Sequence, residues 1–164
     1  MDVTLIVDGA NVMGSRADGW WRDRAGAMAR LHGELAALAA QGIRGQVPGD
    51  SAASGEADSG AEAAGGAGSR DRAATGGDAA GGRWYPQIVL VVEGRARGML
   101  DLVSPAPEVR VVAARGEGDD EIAGLAGRLT GRRIVITADR ELRRRSVAAG
   151  AAVTGPSWLL HQFR

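Results

Sequence analysis

The sequence predicts an α/β fold in which helices cover both faces of a parallel sheet. Short aliphatic runs alternate along the chain with segments of helical periodicity, and strands that are apolar on both faces are typical of buried parallel sheets. A length of 164 residues is enough for one domain with a sizeable core. The chain has no cysteine, and all 20 of its basic residues are arginine. These absences exclude disulfides, cysteine-based zinc sites, thiol nucleophiles and mechanisms that need a lysine.

The amino-terminal part is predicted to form one strand and one long helix. Val3–Val7 is a short apolar run ending at Asp8, as in a buried strand. Large apolar residues recur at spacings of three and four in Trp20–Gln41, which indicates an amphipathic helix, and Gly42 is suited to end it. The next segment, Arg44–Arg83, has 40 residues of which 26 are Gly, Ala or Ser. We interpret it as a flexible insertion without core contacts.

After the insertion, strands and helices alternate. Runs of aliphatic residues predict four further strands, at Ile88–Val92, Val109–Ala113, Ile134–Thr137 and Ala151–Thr154. Apolar residues lie on one face of the segment that follows the strand Val109–Ala113. An Asp opens the segment that follows Ile134–Thr137, and a Pro opens the segment that follows Ala151–Thr154. These features predict helices at Asp119–Leu129, Asp139–Ala149 and Pro156–Phe163.

Four of the predicted strands bring an acidic residue to the same edge of the sheet. Asp8 and Glu93 directly follow the first and second strands, and Asp139 follows the fourth. Asp119 and Asp120 open the helix after the third strand. Each residue alone could be a helix cap or a turn residue. Together at the carboxyl edge, where open parallel sheets bind ligands, they would repel one another, and bound divalent cations would relieve that repulsion.

Three motifs carry a resemblance to a known family. Leu5–Gly14 (LIVDGANVMG) resembles the opening motif of NYN domains, more closely the YacP-like branch of the PIN-like nuclease superfamily. Gly118–Ile122 (GDDEI) resembles the acidic helix start of that family, and Thr137–Arg140 (TADR) resembles its Ser/Thr-x-Asp segment. Glu93 stands where relatives usually carry Asp. The resemblance runs in order through the chain, apart from the insertion.

The resemblance implies both a fold and an activity. The fold would be a three-layer, PIN-like (Rossmannoid) α/β fold with a five-stranded parallel sheet in the order 3-2-1-4-5. The activity would be that of an endoribonuclease that depends on Mg²⁺ or Mn²⁺, with RNA as the partner. Some relatives act on messenger RNA that is associated with ribosomes.

Carried onto this chain, the resemblance makes Asp8, Asp119 and Asp139 the principal metal ligands and catalytic residues. Glu93 and Asp120 would assist them directly or through water. Asn11 and Thr137 would orient the ligands by hydrogen bonds, and Asn11 is also counted with the catalytic residues.

Arginine and tryptophan side chains are candidates for binding RNA. The segment from 128 to 145 holds seven arginines against two acidic residues, and arginine pairs well with phosphate oxygens. Trp20 and Trp21 could stack bases or pack in the core. The alternative to phosphate binding is that the run of arginines only forms a solvent-exposed helix face. The candidate phosphate-binding residues are Arg95, Arg97, Arg140, Arg143 and Arg144.

Other functions remain open at this stage. The fold could serve as a catalytically weak or inactive RNA-binding module, or as a hydrolase of small nucleotides. A haloacid-dehalogenase-type phosphatase is disfavoured because it needs an Asp where Ala10 stands and normally a lysine, and a receiver domain also needs a lysine. No targeting segment and no apolar run of roughly 20 residues is visible. The expected location is therefore the cytoplasm, with no membrane partner.

Overall fold

The strands and helices follow the predicted alternation. In this computed structural model the described residues are 2–49 and 82–164. The strands are β1 (Val3–Asp8), β2 (Ile43–Arg44), β3 (Arg83–Trp84), β4 (Gln87–Val92), β5 (Val109–Ala113), β6 (Arg132–Ile136) and β7 (Ala152–Thr154). The α-helices are α1 (Gly9–Gly14), α2 (Arg24–Gln41), α3 (Gly118–Arg128), α4 (Arg140–Ala148) and α5 (Pro156–Gln162), with 3₁₀ segments at Trp20–Arg22 and Gly94–Asp101. Within the described ranges no helix has the length and apolar character needed to cross a membrane.

A parallel five-stranded sheet forms the centre of the protein in the order β5-β4-β1-β6-β7. The central strand β1 pairs with β4 and β6, and Ile6 lies opposite Val89 on one side and Val135 on the other. Counted along the chain, this is the predicted order 3-2-1-4-5, which is confirmed. All five carboxyl ends therefore lie along one edge.

Two apolar layers hold the helices to the sheet. Because side chains alternate along a strand, Leu5 and Val7 face one layer and Ile6 faces the other. The first layer packs the sheet against α1, α2 and α5, and the second packs it against α3 and α4. The predicted three-layer arrangement is thus confirmed.

The segment between the first strand and the long helix differs from the prediction. The helix begins at Arg24, not at Trp20, because Asp23 caps it by accepting a hydrogen bond from the Gly26 N–H at 2.9 Å. Trp20–Arg22 forms a separate 3₁₀ turn. The short helix α1 was not predicted, since its one and a half turns give no readable periodicity.

Both ends of the predicted insertion contact the fold, so the expectation that Arg44–Arg83 makes no core contacts is wrong there. Arg44 pairs with Arg83 in the antiparallel β2–β3 ladder. Val47 is partly buried against the core, and the Arg132 guanidinium donates a hydrogen bond to the Pro48 carbonyl at 3.1 Å. The rest of the predicted insertion, residues 50–81, lies outside the described residues.

Candidate active site

Asp8 is buried at the centre of the carboxyl edge of the sheet. It is the last residue of β1, and only 7% of its surface is exposed. One carboxylate oxygen, Oδ1, accepts a hydrogen bond from the Asn11 N–H at 3.3 Å and so caps α1. The other oxygen, Oδ2, accepts from the Thr137 hydroxyl at 2.9 Å. The fold therefore fixes this carboxylate from two sides.

Glycine at position 9 allows α1 to begin directly after Asp8. A Cβ at this position would lie 2.6 Å from the Val91 carbonyl oxygen and 2.9 Å from the Met28 methyl group. A carbonyl of the neighbouring strand cannot yield that space cheaply. The Asp-Gly pair of the first motif is therefore a packing requirement as well as a chemical one.

The loop after β6 is tied to the loop after β1. The buried Thr137 hydroxyl accepts a hydrogen bond from the Asp139 N–H at 3.1 Å, in addition to donating to the carboxylate of β1. The Asn11 side-chain oxygen accepts from the Ala138 N–H at 2.8 Å. Asp139 caps α4 by accepting from the Leu142 N–H at 2.9 Å. Thr137 thus contacts both Asp8 and Asp139, and the Asn11 side chain ties the loop before Asp139 to α1.

Glu93 joins the end of β4 to the start of α3. Its carboxylate accepts a hydrogen bond from the Gly118 N–H at the amino terminus of that helix. A Cβ at Gly118 would lie 2.9 Å from the same carboxylate oxygen. Glycine thus leaves room for the carboxylate in this position, and the contact places Asp119, the next residue, beside Glu93.

Burial and neighbouring charge shift the proton affinity of Asp8. Its pKa is raised from 3.8 to about 6, chiefly by burial and in addition by the negative charges of Asp119 and Glu93. The hydrogen bonds from Thr137 and Asn11 act in the opposite direction. Asp8 is consequently a carboxylate whose negative charge is poorly compensated by the protein itself.

Asp119 has a raised pKa for the same physical reasons. Burial is the largest cause, followed by the negative charges of Asp139, Glu93 and Glu117, whereas the positive charge of Arg145 lowers the pKa. These mutual effects mean that the structure brings four carboxylates to one edge, as the sequence predicted. They are Asp8, Glu93, Asp119 and Asp139.

The fifth predicted carboxylate, Asp120, is held apart from this group. It is exposed and forms an ion pair with Arg145 at 3.0 Å. Across residues 2–49 and 82–164, no three acidic or histidine side chains are already arranged as a complete set of metal ligands. A ligand set would therefore require side-chain rotation, for example of Glu93 away from Gly118. All the converging donors are carboxylate oxygens, which suit hard cations such as Mg²⁺ and Mn²⁺.

The arginines proposed to bind RNA differ in their surroundings. Arg143 donates a hydrogen bond from Nε to the Thr137 carbonyl at 2.8 Å, so it supports the loop after β6. Arg144 pairs with Glu141 one turn earlier on α4. Arg140 is exposed at the start of α4, beside the acidic edge. Of these three arginines, Arg140 has the position best suited to a phosphate.

Arg95 and Arg97 are both exposed on the 3₁₀ segment that follows Glu93.

The sequence interpretation missed two charged neighbours of Asp119. Glu117 lies two residues before it, so the acidic run itself was a signal. Arg145 comes from α4, and only the packing of that helix beside α3 reveals its position.

Comparison with solved structures identifies a similar fold. The chain resembles the crystal structure of a single-residue mutant of Rae1 (YacP) from Bacillus subtilis, with a TM-score of 0.59 and 16% sequence identity. The similarity covers 99% of this chain and 75% of that one. No protein-family model matches the sequence, and no curated protein matches it either. The likeness confirms the predicted PIN-like fold.

Proposed function

We propose that this protein is a metal-dependent endoribonuclease that hydrolyses phosphodiester bonds of RNA at the carboxyl edge of its sheet. The observation that carries the proposal is the buried carboxylate of Asp8, whose pKa is raised to about 6 in the company of Asp119 and Glu93. A protein gains nothing in stability by gathering like charges in this way. Such a cluster is therefore a candidate for function.

The donor set supports Mg²⁺ or Mn²⁺ as the cofactor. Asp8, Asp119 and Asp139 would hold the cation, and Glu93 would join them after leaving the Gly118 N–H. When bound, the cation would supply positive charge that activates water and stabilises negative charge on the phosphate. Asp120 has a weaker claim to a ligand role because Arg145 already neutralises it.

The residues of the chain prepare this edge for hydrolysis. The Thr137 hydroxyl and the Asn11 N–H hold the Asp8 carboxylate, the Asn11 side chain holds the loop before Asp139 through the Ala138 N–H, and Arg140 lies where a phosphate could be bound. In-line attack by water forms a new bond to phosphorus, breaks the bond to the 3′ oxygen and delivers a proton to that oxygen. The products would carry a 5′-phosphate and a 3′-hydroxyl.

RNA is the proposed substrate because the sequence motifs and the fold point to the same branch. The sequence motifs resemble the YacP-like branch, for which RNA cleavage is expected, and a similar solved structure carries the name YacP. Association of the substrate with ribosomes stays a prediction of the resemblance, and a location in the cytoplasm stays a prediction from the sequence. A cleft built from these carboxylates alone does not select a base sequence.

Incubation of the purified chain with Mn²⁺ and end-labelled single-stranded RNA tests the proposal. We expect internal cleavage that stops when the metal is chelated. Asp119→Asn removes a ligand charge and should lower the cleavage rate by at least about 100-fold, the scale on which loss of a preorganised charge acts in an active site. Gel analysis of the products measures both effects.

Asp2→Asn is the matched control. Asp2 is exposed and precedes the first residue of β1, at the opposite edge of the sheet from Asp8, so its charge should not affect cleavage. Binding without cleavage by the unmodified chain would identify an RNA-binding module. Release of phosphate from a nucleotide panel without RNA cleavage would identify a small-nucleotide hydrolase. Undiminished cleavage by Asp119→Asn would remove the site assignment.

A further inference from the structure

A cavity of about 380 Å³ lies directly beside the carboxylate edge. Met13, Trp20 and Ala96 line its apolar part, and Glu93 and Glu117 line the part nearest the acidic cluster. Negative side chains would repel a phosphate there, whereas the apolar part can accept a flat, uncharged ring. The apolar part of this cavity is thus suited to a nucleobase, and the end lined by the two glutamates is unsuited to a phosphate.

A second cavity, of about 260 Å³, continues from the first through a shared arginine. Arg24 lines both cavities, and the second is also lined by Trp21, Arg22 and Arg95. Asp23 is the acidic residue in its lining, and it is occupied as the cap of α2. The balance of charge in the second cavity is therefore positive, which suits phosphate groups.

Two tryptophan rings form the corner between these cavities. The rings of Trp20 and Trp21 meet edge to face, with centroids 6.1 Å apart and an angle of 86° between their planes. The Arg24 guanidinium lies 5.5 Å from the Trp20 ring centroid, and that of Arg22 lies 5.9 Å from the Trp21 centroid. Trp21 keeps 57% of its surface exposed despite these two contacts, so part of its ring is open for stacking.

Packing between α2 and the 3₁₀ segment Gly94–Asp101 brings the charged and aromatic residues together. A Cβ at Gly98 would lie 3.4 Å from the Ala25 Cβ, so these two elements are in close contact. Arg95 therefore lines the same cavity as Trp21 and Arg22, although more than 70 residues separate it from them in the chain.

We propose that these two cavities form a base-stacking track for single-stranded RNA that leads away from the cleavage site. One base occupies the cavity against Trp20, the next stacks on the open part of Trp21, and Arg22, Arg24 and Arg95 contact the phosphates between them. The proposal rests on the proposed function because it takes RNA as the ligand. Stacking on aromatic rings tolerates any base, so the track provides affinity and direction but little sequence preference.

Binding of a fluorescently labelled octamer of uridines, followed by anisotropy without added metal, tests the track. The protein is the full chain carrying Asp119→Asn, so that the RNA is not cut. Adding Trp21→Ala should weaken binding by between about 5-fold and 100-fold, the effect of losing one stacked base. Trp21→Phe, which keeps an aromatic ring, should restore most of the affinity.

Tyr85→Ala is the matched control, because Tyr85 is an aromatic residue of similar exposure (63%) that lies near the opposite edge, shortly before β4 begins. It should change the affinity less than twofold. An octamer without bases should bind the parent protein more weakly and should not distinguish it from Trp21→Ala. Unchanged binding of uridines by Trp21→Ala, or an equal loss with the octamer that lacks bases, would overturn the proposal.

Failure of the track is distinguishable from failure of the proposed function. Cleavage of RNA by the unmodified chain, together with binding that ignores Trp21, would leave the nuclease and remove the track. Binding that depends on Trp21, together with no cleavage by the unmodified chain, would leave the track on an RNA-binding module.

Discussion

Asp8 is a charged residue that the fold keeps buried at a cost in stability. Its raised pKa means that the folded protein binds a proton on this carboxyl more tightly than the unfolded chain does. The stabilising effect of that proton is fully present below the unfolded pKa of 3.8 and is lost as the pH rises through about 6. At neutral pH and without metal, the ionised Asp8 therefore destabilises the fold.

Asp8→Asn should stabilise the metal-free protein at neutral pH. A rise in pKa from 3.8 to about 6 corresponds to at most roughly 3 kcal/mol, and we expect an increase of about 1–3 kcal/mol in the free energy of unfolding at pH 7. The increase should vanish near pH 4, where wild-type Asp8 is protonated in the folded state. Urea unfolding with a chelator present, at several pH values, measures this difference.

Two comparisons separate this effect from a general loss of charge. Asp2→Asn removes the same charge at the exposed end of β1 and should leave the pH dependence unchanged. Mn²⁺ should stabilise the wild-type protein but have little effect on Asp8→Asn. If Asp8→Asn is less stable than wild type at pH 7 without metal, the explanation of its raised pKa is wrong.

Individual site residues differed in how far the sequence could reveal them. Asp8, Asn11 and Asp139 lie in short motifs next to strands, so their positions followed from local sequence. The hydrogen bond between Glu93 and Gly118 joins residues 25 positions apart, and no local pattern encodes it. Arg143 was predicted to grip RNA from its place in a basic run, but its bond to the Thr137 carbonyl gives it a structural role.

Among the helices that begin at the carboxyl edge, α1, α3 and α4 each have a carboxylate bound to the first turn. Asp8 accepts from α1, Glu93 from α3 and Asp139 from α4. The positive ends of these helices offset part of the negative charge. The sequence left a helix cap or a turn as alternatives to metal binding, and the structure shows caps at Asp8 and Asp139, whereas Glu93 reaches the start of α3 from the end of β4.

The contacts of the β2–β3 pair, and of the residues that directly follow β2, determine how far the insertion can be shortened without loss of stability. Deleting residues 44–83 would remove the packing of Val47, the bond from Arg132 to Pro48, and the bond from Arg83 to the Gln41 carbonyl at 2.7 Å. We expect a loss of about 2 kcal/mol or more from one part-buried apolar side chain and two hydrogen bonds. This should appear as a fall of roughly 5–10 °C in Tm.

The matched variant keeps residues 44–49 and 82–83 and replaces only residues 50–81 with a short Gly-Ser linker. Composition predicts no core contacts for that replaced segment, so its Tm should stay close to that of the full chain. Equal melting temperatures for both deletions would show that the contacts of Val47 and Pro48 contribute nothing measurable.

The boundaries of this insertion were misplaced because they were drawn from the composition of a whole segment, whereas packing against the core depends on single residues. Val47 is a single aliphatic residue within a stretch rich in Gly, Ala and Ser. Nothing in its immediate neighbours indicates that it packs against the core. Similarly, Gly94–Asp101 has too little periodicity to be recognised as helical from sequence, although Ala96 and Met99 are buried there.

At the scale of the whole molecule, most of the architecture was predictable because most of the strands are short, nearly uninterrupted aliphatic runs and the longer helices between them have clear apolar faces. The strand order came from the family resemblance and not from periodicity, which cannot order a sheet. The short helix α1 escaped prediction, yet it carries Asn11 and packs so closely on β4 that only glycine fits at its start. Tertiary contacts, not local propensity, hold that element in place.

The overall charge of the chain is zero, but its distribution is strongly uneven. Acidic side chains gather at the carboxyl edge, and arginines lie beside that edge on α4, on the 3₁₀ segment after Glu93 and at the start of α2. A molecule arranged in this way can bind a polyanion along its arginines while keeping a cation site at the centre. Net charge alone would have hidden both properties.

The central claim is that the carboxylates at this edge hold a divalent cation, and a crystal soaked in Mn²⁺ tests it most directly. Anomalous diffraction from the metal should give a peak bonded to carboxylate oxygens of Asp8, Asp119 and Asp139, at about 2.0–2.3 Å, the range for Mg²⁺-like cations and slightly larger ions. Asp8→Asn crystals treated in the same way should lose the peak. A well-ordered edge with no Mn²⁺ peak, in crystals soaked at millimolar metal, would contradict the claim.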